Sequence, residues 1–244
     1  MTKLIYFGCL SAKNYESTCD NAKKLIQFID NEFQVIDDPP CCGSLSFHIT
    51  SDEILSEHIK FVNDWFNENN VTELVTICAG CYAYFKNYKE FLGSEFNVKV
   101  HHLLQFLSEP NNMTKLNLKY PEKNLKVNYH DACHLRNSSL PIMEEPRSIL
   151  NSIDNIELVE MDLNRTKSIC CGAGGGVYSV FKENSDYNAK SIFDNMNKGE
   201  ALLTGCPFCY TALIRIKNKN KIKKPVIKFE DFIVKIMEGV DPIS

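Results

Sequence analysis

Ten of the eleven cysteines in this 244-residue chain fall into one five-cysteine pattern that occurs twice. Cys9, Cys41, Cys42, Cys78 and Cys81 form the first set, and Cys133, Cys170, Cys171, Cys206 and Cys209 the second. Each set holds a lone cysteine, an adjacent pair followed by a glycine (Gly43 or Gly172), and a closing CxxC. Thiolates are the protein's soft metal ligands, and five of them in one place repel unless a cation takes up the charge. A tetrahedral zinc uses four thiolates and leaves one cysteine of each set unexplained, whereas iron-sulfur clusters offer thiolates several metal atoms. The adjacent pair is awkward for an ordinary cubane, in which one iron takes one thiolate. A CCG loop lets one thiolate bridge two irons instead, with Gly43 and Gly172 turning the backbone through dihedrals closed to other residues.

Other chemistries stay open at this point. The run from Cys206 to Cys209, CPFC with Pro207 opening a helix, also suits a thioredoxin-like redox dithiol. Zinc in at least one half is the other alternative. The stretch from Cys170 to Val177, CCGAGGGV, has glycines at 174, 175 and 176 whose amides can approach cluster sulfides as an anion-binding nest. It does not satisfy GxGxxG and carries no Walker lysine, so nucleotide binding is not supported. His130, Asp131 and His134 surround Cys133 in YHDACHL. Of these, His134 is the candidate catalytic residue, able to hydrogen-bond a cluster sulfur or hand a proton to a leaving thiolate, since imidazole titrates near neutrality. His101 and His102 read as structural, and Cys19 as a buried helix residue.

The elements that must carry these residues repeat as well. Cys78 and Cys81 map onto Cys206 and Cys209 at a shift of 128, and Cys41 and Cys42 onto Cys170 and Cys171 at 129. The stretch from Val98 to Leu107 meets Val226 to Lys235 at the first of these shifts, so an internal duplication organises the chain. Short apolar runs alternate with 3.6-periodic stretches, the signature of an α/β fold: two pseudo-twofold-related repeats, each a small, largely parallel sheet flanked by helices with cysteines at the strand C-terminal ends.

Strands are expected at Lys3 to Phe7, Phe33 to Ile36, Glu73 to Ile77 and Asn97 to Val100, then at Lys126 to Tyr129, Glu157 to Met161, Ala201 to Thr204 and Val226 to Lys228. One helix carries Ala22, Leu25, Ile26 and Ile29 on a face; another carries Leu55, Ile59, Val62 and Phe66 behind a Thr50–Glu53 capping box. A third carries Ala189, Ile192, Phe193 and Met196 behind a Ser185 cap. Residues 1–107 form the N-terminal repeat and 125–244 the C-terminal one. Residues 108–124 read as a linker, because Pro110, Asn111, Asn112 and Pro121 interrupt any periodicity. Neighbouring strands lie about 4.8 Å apart, so loops leaving adjacent strand ends can bring distant cysteines together.

Composition narrows the class. Apolar residues make up 44% and charged residues 24% of the chain, the mix of a globular protein without a membrane span. A net charge of -4 argues against nucleic acid as a partner, because a phosphate backbone demands a basic footprint. The one basic run, Arg215 to Lys224, reads as a solvated turn or a docking site for an acidic protein. Met1 leads into an apolar strand without a basic leader or cleavage site, and cysteines at regular spacing in a reducing compartment read as metal ligands. A cytoplasmic location is expected, with any membrane association made through partner subunits.

Both sets resemble the CCG, or cysteine-rich, domain family typified by the B-type subunit of heterodisulfide reductase and the related domain of the D-type subunit. The resemblance runs through FGC at Phe7 to Cys9, CCG, CAGC, YHDACHL, CCGAGGG and CPFC. It implies that each set holds a noncubane 4Fe-4S cluster through all five cysteines, the two clusters lying close together across a pseudo-twofold axis. It also implies an oxidoreductase subunit that cleaves a small-molecule disulfide or heterodisulfide between the clusters, of the coenzyme M–coenzyme B type used in methanogenesis. Electrons would come from partners, commonly a C-type iron-sulfur subunit with ferredoxin-like cubanes and, beyond it, a flavoprotein subunit. The same motif occurs in subunits of glycolate and lactate oxidation systems and of an unusual succinate dehydrogenase, so an electron-transfer subunit is the alternative. A zinc-stabilised, non-catalytic assembly protein is a third.

Overall fold

Leu4, Ile5 and Tyr6, the first apolar run of the chain, are the buried end of strand β1 (Thr2–Tyr6). A strand covered on both faces reads as such an unbroken run. The computed structural model describes residues 1–120 and 124–243. In it β1 is joined by β2 (Phe33–Gln34), β3 (Val71–Thr76) and β4 (Lys99–His102), and the second half contributes β5 (Leu125–His130), β6 (Ile156–Leu158), β7 (Ala201–Thr204) and β8 (Val226–Lys228). The first four form one sheet in the order β2-β1-β3-β4 and the last four another in the order β6-β5-β7-β8, every pair being parallel. The α/β architecture of two small parallel sheets flanked by helices is as expected.

Helices in the first half are α1 (Cys9–Asn14), α2 (Glu16–Ile29), α3 (Ser46–Ile49), α4 (Asp52–Glu68), α5 (Ala79–Leu92), α6 (Leu103–Ser108) and α7 (Pro110–Leu116). Those in the second are α8 (Cys133–Arg136), α9 (Glu145–Asn151), α10 (Val177–Val180), α11 (Lys182–Asp194), α12 (Pro207–Lys219) and α13 (Phe229–Met237). Ala22, Leu25, Ile26 and Ile29 are the buried face of α2, and Leu55, Ile59, Val62 and Phe66 that of α4. No helix among the described residues is long and apolar enough to cross a membrane.

Several local expectations fail for identifiable reasons. Strands β2 and β6 end early, at Gln34 and Leu158, where the chain turns into the loops that carry the paired cysteines. Strand β4 starts two residues late, in register with β3 from Glu73–Lys99 to Thr76–His102. The capping box does not form: Ser51 precedes α4, while the Thr50 hydroxyl donates back to the Ser46 carbonyl at 2.9 Å and closes α3. Ser185 lies inside α11, fully buried, and its hydroxyl donates to the Cys171 carbonyl at 3.3 Å instead of capping. The segment 108–124 holds α7, whose first residue is Pro110, a position where the missing N–H costs nothing; Pro121 lies outside the described residues. Arg215, Lys217 and Lys219 belong to α12 and are not a turn.

The halves meet reciprocally. The helix that follows the last strand of each packs on a helix of the other, α6 on α9 and α13 on α2, and each helix that opens at a CxxC meets the short helix that opens at the opposite lone cysteine, α5 on α8 and α12 on α1. Lys228, at the end of β8, fills one of these junctions. Its ammonium lies 3.8 and 4.0 Å from the ring centroids of Tyr210 and Tyr15 and donates to the Thr18 hydroxyl at 2.9 Å. Thr18 and Asn21 in turn donate to Asp231, each at 2.9 Å. Desolvated cation–π contacts of this kind contribute about 2 kcal/mol.

Beside it, Glu230 is 3% exposed, and burial, then Asp231, pushes its carboxyl up to about 8. The folded chain therefore holds this proton to about pH 8, whereas an unfolded glutamate releases it near 4.5. Folding binds a proton in that window, so this group's contribution to stability falls as pH rises through it. Glu230→Gln is expected to gain stability relative to the parent between about pH 5 and about pH 9, read from urea midpoints. A difference that stays flat over that range would show that the carboxyl is not buried as an acid.

Candidate functional site

In each sheet the chain leaves the first strand in one direction to its edge neighbour and in the other to the strand that ends in CxxC. The crevice between those two strands, β1 and β3 or β5 and β7, is the topological switch point, where open α/β sheets bind ligands. Cys9 and Cys133 leave β1 and β5 as the first residues of α1 and α8, and Cys78 and Cys206 precede α5 and α12 directly. The adjacent pairs arrive from further off. Cys41 and Cys42 come seven and eight residues after β2, and Cys170 and Cys171 twelve and thirteen after β6, so these loops and not the strand ends deliver them.

The structure brings each quintet together in the same connectivity. Hydrogen-bonding contacts run Cys9–Cys41–Cys42–Cys81–Cys78 in the first. They run Cys133–Cys170–Cys171–Cys209–Cys206 in the second, with 3.5 Å between the first two sulfurs and 3.3 Å between Cys171 and Cys209. The sulfurs thus form strings and not closed cages. Among the described residues no three or more His, Cys, Asp or Glu groups surround a single point suited to one metal ion.

Proton sharing along the strings is uneven. Hydrogen bonds from Cys42 and then Cys9 hold Cys41 down to about 2, and those from Cys133 and then Cys171 do the same for Cys170. Cys9, Cys42, Cys81, Cys133, Cys171 and Cys209 are all pushed up, first by the thiol neighbours and then by burial. Without a cation most of the thiols stay protonated, so full deprotonation has to be coupled to metal binding.

The donor set fits a cluster. Each quintet offers five sulfurs, and the residues after the pairs, Gly43 and Gly172, have φ of +73° and +68°. At Gly172 a Cβ would also lie 2.9 Å from the Ser185 backbone. The Gly172 amide donates to Cys170 Sγ at 3.4 Å, the contact a sulfur anion needs. The loop carbonyls are held from behind: the Tyr6 hydroxyl donates to Pro40 at 2.8 Å, His58 Nε2 to Cys41 at 2.9 Å and the Tyr88 hydroxyl to Cys42 at 3.1 Å.

The two quintets differ in their surroundings. Cys9 and Cys41 are exposed, and a cavity of about 410 Å³ between the halves runs past them to Gly175, Gly176, Phe208 and Arg215. Gly175 and Gly176 of the second glycine loop therefore face the first quintet, while Gly174 lies against His134. Cys133 and Cys170 are half-buried and braced by ions. Arg147 pairs bidentately with Asp131 at 2.8 Å to each oxygen and with Glu160 at 2.7 and 3.0 Å. Arg136 donates to the carbonyls of Arg165 and Ser168, just ahead of Cys170.

His130, Asp131 and His134 separate into different roles. Asp131 belongs to the Arg147 brace. His130 is 1% exposed, burial lowers it to about 4, and its Nε2 has no partner among the described residues. His134 is lowered by burial too, and its Nδ1 lies 3.8 Å from Cys133 Sγ. Its Nε2 is 3.4 Å from the hydroxyl of Tyr84, which also hydrogen-bonds His48 Nε2. His101 and His102 are buried; His102 accepts from the Leu104 amide and caps α6. Cys19 is buried on α2. Tyr84, His48 and Arg147 escaped the sequence reading. Tyr84 stands three residues after Cys81 on one helix face, a spacing that could have flagged it; His48 and Arg147 carry no local signal.

Comparison with known proteins finds the cysteine-rich domain family, CCG, matching residues 4–86 and 127–214. Over 231 residues the chain is 34% identical to a protein of Methanocaldococcus jannaschii described as an uncharacterized iron-sulfur protein, covering 91% of this chain and 43% of that one. Over 247 residues it is 28% identical to the D-type subunit of the dihydromethanophenazine:CoB–CoM heterodisulfide reductase of Methanosarcina acetivorans, covering 97% and 59%. The chain thus spans about half the length of these relatives. A crystal structure of a hypothetical protein from Helicobacter pylori superimposes with a TM-score of 0.71 over 97% of this chain and 49% of that one, at 12% identity, a likeness of fold alone.

The ionic brace of the second quintet is directly testable. Arg147 and Asp131 side chains are 4% and 0% exposed, so Arg147→Leu strands a buried carboxylate and is expected to cost about 3–5 kcal/mol in urea unfolding. Adding Asp131→Asn should recover part of that loss, and strict additivity of the two changes would show that they do not interact.

Proposed function

The chain belongs to the cysteine-rich CCG-domain family, and from that premise we propose that it is an iron-sulfur redox subunit that reduces a disulfide or heterodisulfide. In this reading Cys9, Cys41, Cys42, Cys78 and Cys81 hold one noncubane 4Fe-4S cluster, and Cys133, Cys170, Cys171, Cys206 and Cys209 the other. The observation that carries it is the pair of like-connected sulfur strings at two switch points of one reciprocally packed body, with a cavity reaching the exposed cysteines of the first. One relative is an iron-sulfur protein and another belongs to a heterodisulfide reductase, which supports the chemistry.

Opening a disulfide takes two electrons and two protons and yields two thiols. Two clusters, when bound, supply one electron each. The rest is this chain's work. Gly175 and Gly176 keep the cavity wall free of side chains beside Cys9 and Cys41, and Leu10, Leu45 and Phe208 line it with apolar surface. His134, whose Nδ1 lies 3.8 Å from Cys133 Sγ, is the group placed to relay a proton from solvent to a departing thiolate, taking up one proton as it gives up another. The electrons enter from a partner, a ferredoxin-like iron-sulfur subunit and, behind it, a flavoprotein subunit.

Anaerobic purification is expected to yield about eight iron and eight acid-labile sulfide per chain, falling to about half in Cys42→Ser or Cys171→Ser. The loaded protein should turn over a disulfide with reduced viologen. Zinc alone, or iron without sulfide, removes the reading; coupling to a flavoprotein dehydrogenase without disulfide turnover moves the chain to electron transfer for a 2-hydroxyacid or succinate dehydrogenase. His134→Gln should keep its iron and sulfide but lose about 10²-fold in kcat. Full turnover in that variant would make His134 a structural residue.

A further inference from the structure

We propose that Tyr84, contributed by the N-terminal half and held by His48, is a positioning residue for the C-terminal site: it fixes His134 in the tautomer whose Nδ1–H points at Cys133 Sγ. One of the two sites then receives a hydrogen bond that the other lacks. This rests on the reading of Cys133 as a thiolate ligand.

A tyrosine hydroxyl has one proton to give, and the Tyr84 hydroxyl stands between two imidazole nitrogens, His48 Nε2 and His134 Nε2, the latter at 3.4 Å. Its proton goes to one ring, and its oxygen accepts from the other and from the Ser44 hydroxyl. Donation to His134 Nε2 leaves the His134 proton on Nδ1, 3.8 Å from Cys133 Sγ, while His48 Nε2–H donates to the Tyr84 oxygen. The opposite direction puts the His134 proton on Nε2 and turns a bare Nδ1 lone pair toward the sulfur. A metal-bound thiolate has only lone pairs to offer there, so that arrangement sets acceptor against acceptor. A thiolate at Cys133 and a Tyr84 hydroxyl that donates to Nε2 favour the same tautomer, so the Tyr84 bond holds the ring with its Nδ1–H on the sulfur.

The packing is built for it. The Tyr84 ring is 7% exposed, held 4.5 Å from the Phe47 ring and 5.4 Å from the His134 ring, measured between centroids. Both imidazoles reach this point only because the opposing loop has no side chains: a Cβ on Gly174 would sit 3.1 Å from His134 Cε1, and one on Gly175 3.2 Å from His48 Nε2. The first quintet has no counterpart, since Leu10 follows Cys9 where His134 follows Cys133. Hydrogen bonds to cluster sulfurs stabilise the more negative, reduced form and raise the reduction potential. The bond held by Tyr84 therefore raises the potential of the C-terminal site above the value that site would have without it.

The test is an anaerobic redox titration of the full chain, following both sites by electron paramagnetic resonance. Tyr84→Phe keeps the ring and removes the hydroxyl; it is expected to shift one midpoint potential downward, leaving the other potential and the iron and sulfide content unchanged. His48→Gln, which retains an N–H donor, should keep both parental potentials, and His48→Leu, which leaves Tyr84 its proton but removes the group that orients the hydroxyl, should shift the same potential in the same direction by less than Tyr84→Phe. Unmoved potentials in Tyr84→Phe and His48→Leu, equal shifts at both sites, or loss of iron from these variants would each overturn the proposal while leaving the iron-sulfur reading in place. A parent protein that carries no sulfide-bearing iron overturns the reading and the proposal together.

Discussion

Sulfurs held within hydrogen-bonding reach of one another cannot all be anionic without a countercharge, since each added negative charge raises the cost of the next. In this protein that cost is imposed twice, by two strings of five thiols whose protons are shared so unevenly that Cys41, Cys78 and Cys170 are driven down while Cys9, Cys42, Cys81, Cys133, Cys171 and Cys209 are driven up. The features around the strings lower the cost of gathering them. Left-handed glycines turn the paired loops, amides face sulfur, and buried hydroxyls and guanidinium groups hold the loop carbonyls from the far side.

The fold makes the gathering possible and the surroundings make it unequal. A parallel sheet whose second and third strands lie on either side of the first opens a crevice at its carboxyl end, and the duplication builds that crevice twice. The first is left accessible through Cys9 and Cys41, along the cavity roofed by the second half's glycines. The second is shielded, braced by Arg147 with Asp131, and joined to the first half through Tyr84 and His48. Two sites that share a motif thus have different electrostatics and different access.

What could be read beforehand follows from how local each signal is. The buried strands and the apolar faces of α2 and α4 are written in neighbouring residues, and the repeat shows because the same residue types recur at a shift of 128 or 129. The expected caps do not form. Thr50 and Ser185 have the right type in the right window, but Thr50 finds a better acceptor in the turn of α3, and Ser185 is recruited to the Cys171 carbonyl. The roles of His48, Tyr84 and Arg147 depend on partners between 13 and 50 residues away, so no window of sequence contains them. The glycine loop was visible as a loop, yet which quintet it faces is decided by how the halves dock.

That docking has an evolutionary reading. Because α6 lies on α9 while α13 lies on α2, the junction is isologous: the same patch, repeated, meets itself about a twofold axis. Such a surface is what a homodimer presents, and joining two copies end to end would preserve it without new contacts. Within one chain the two copies are also free to differ. A symmetric dimer must place a histidine after both lone cysteines or after neither, whereas a single chain can keep Leu10 on one side and His134 on the other.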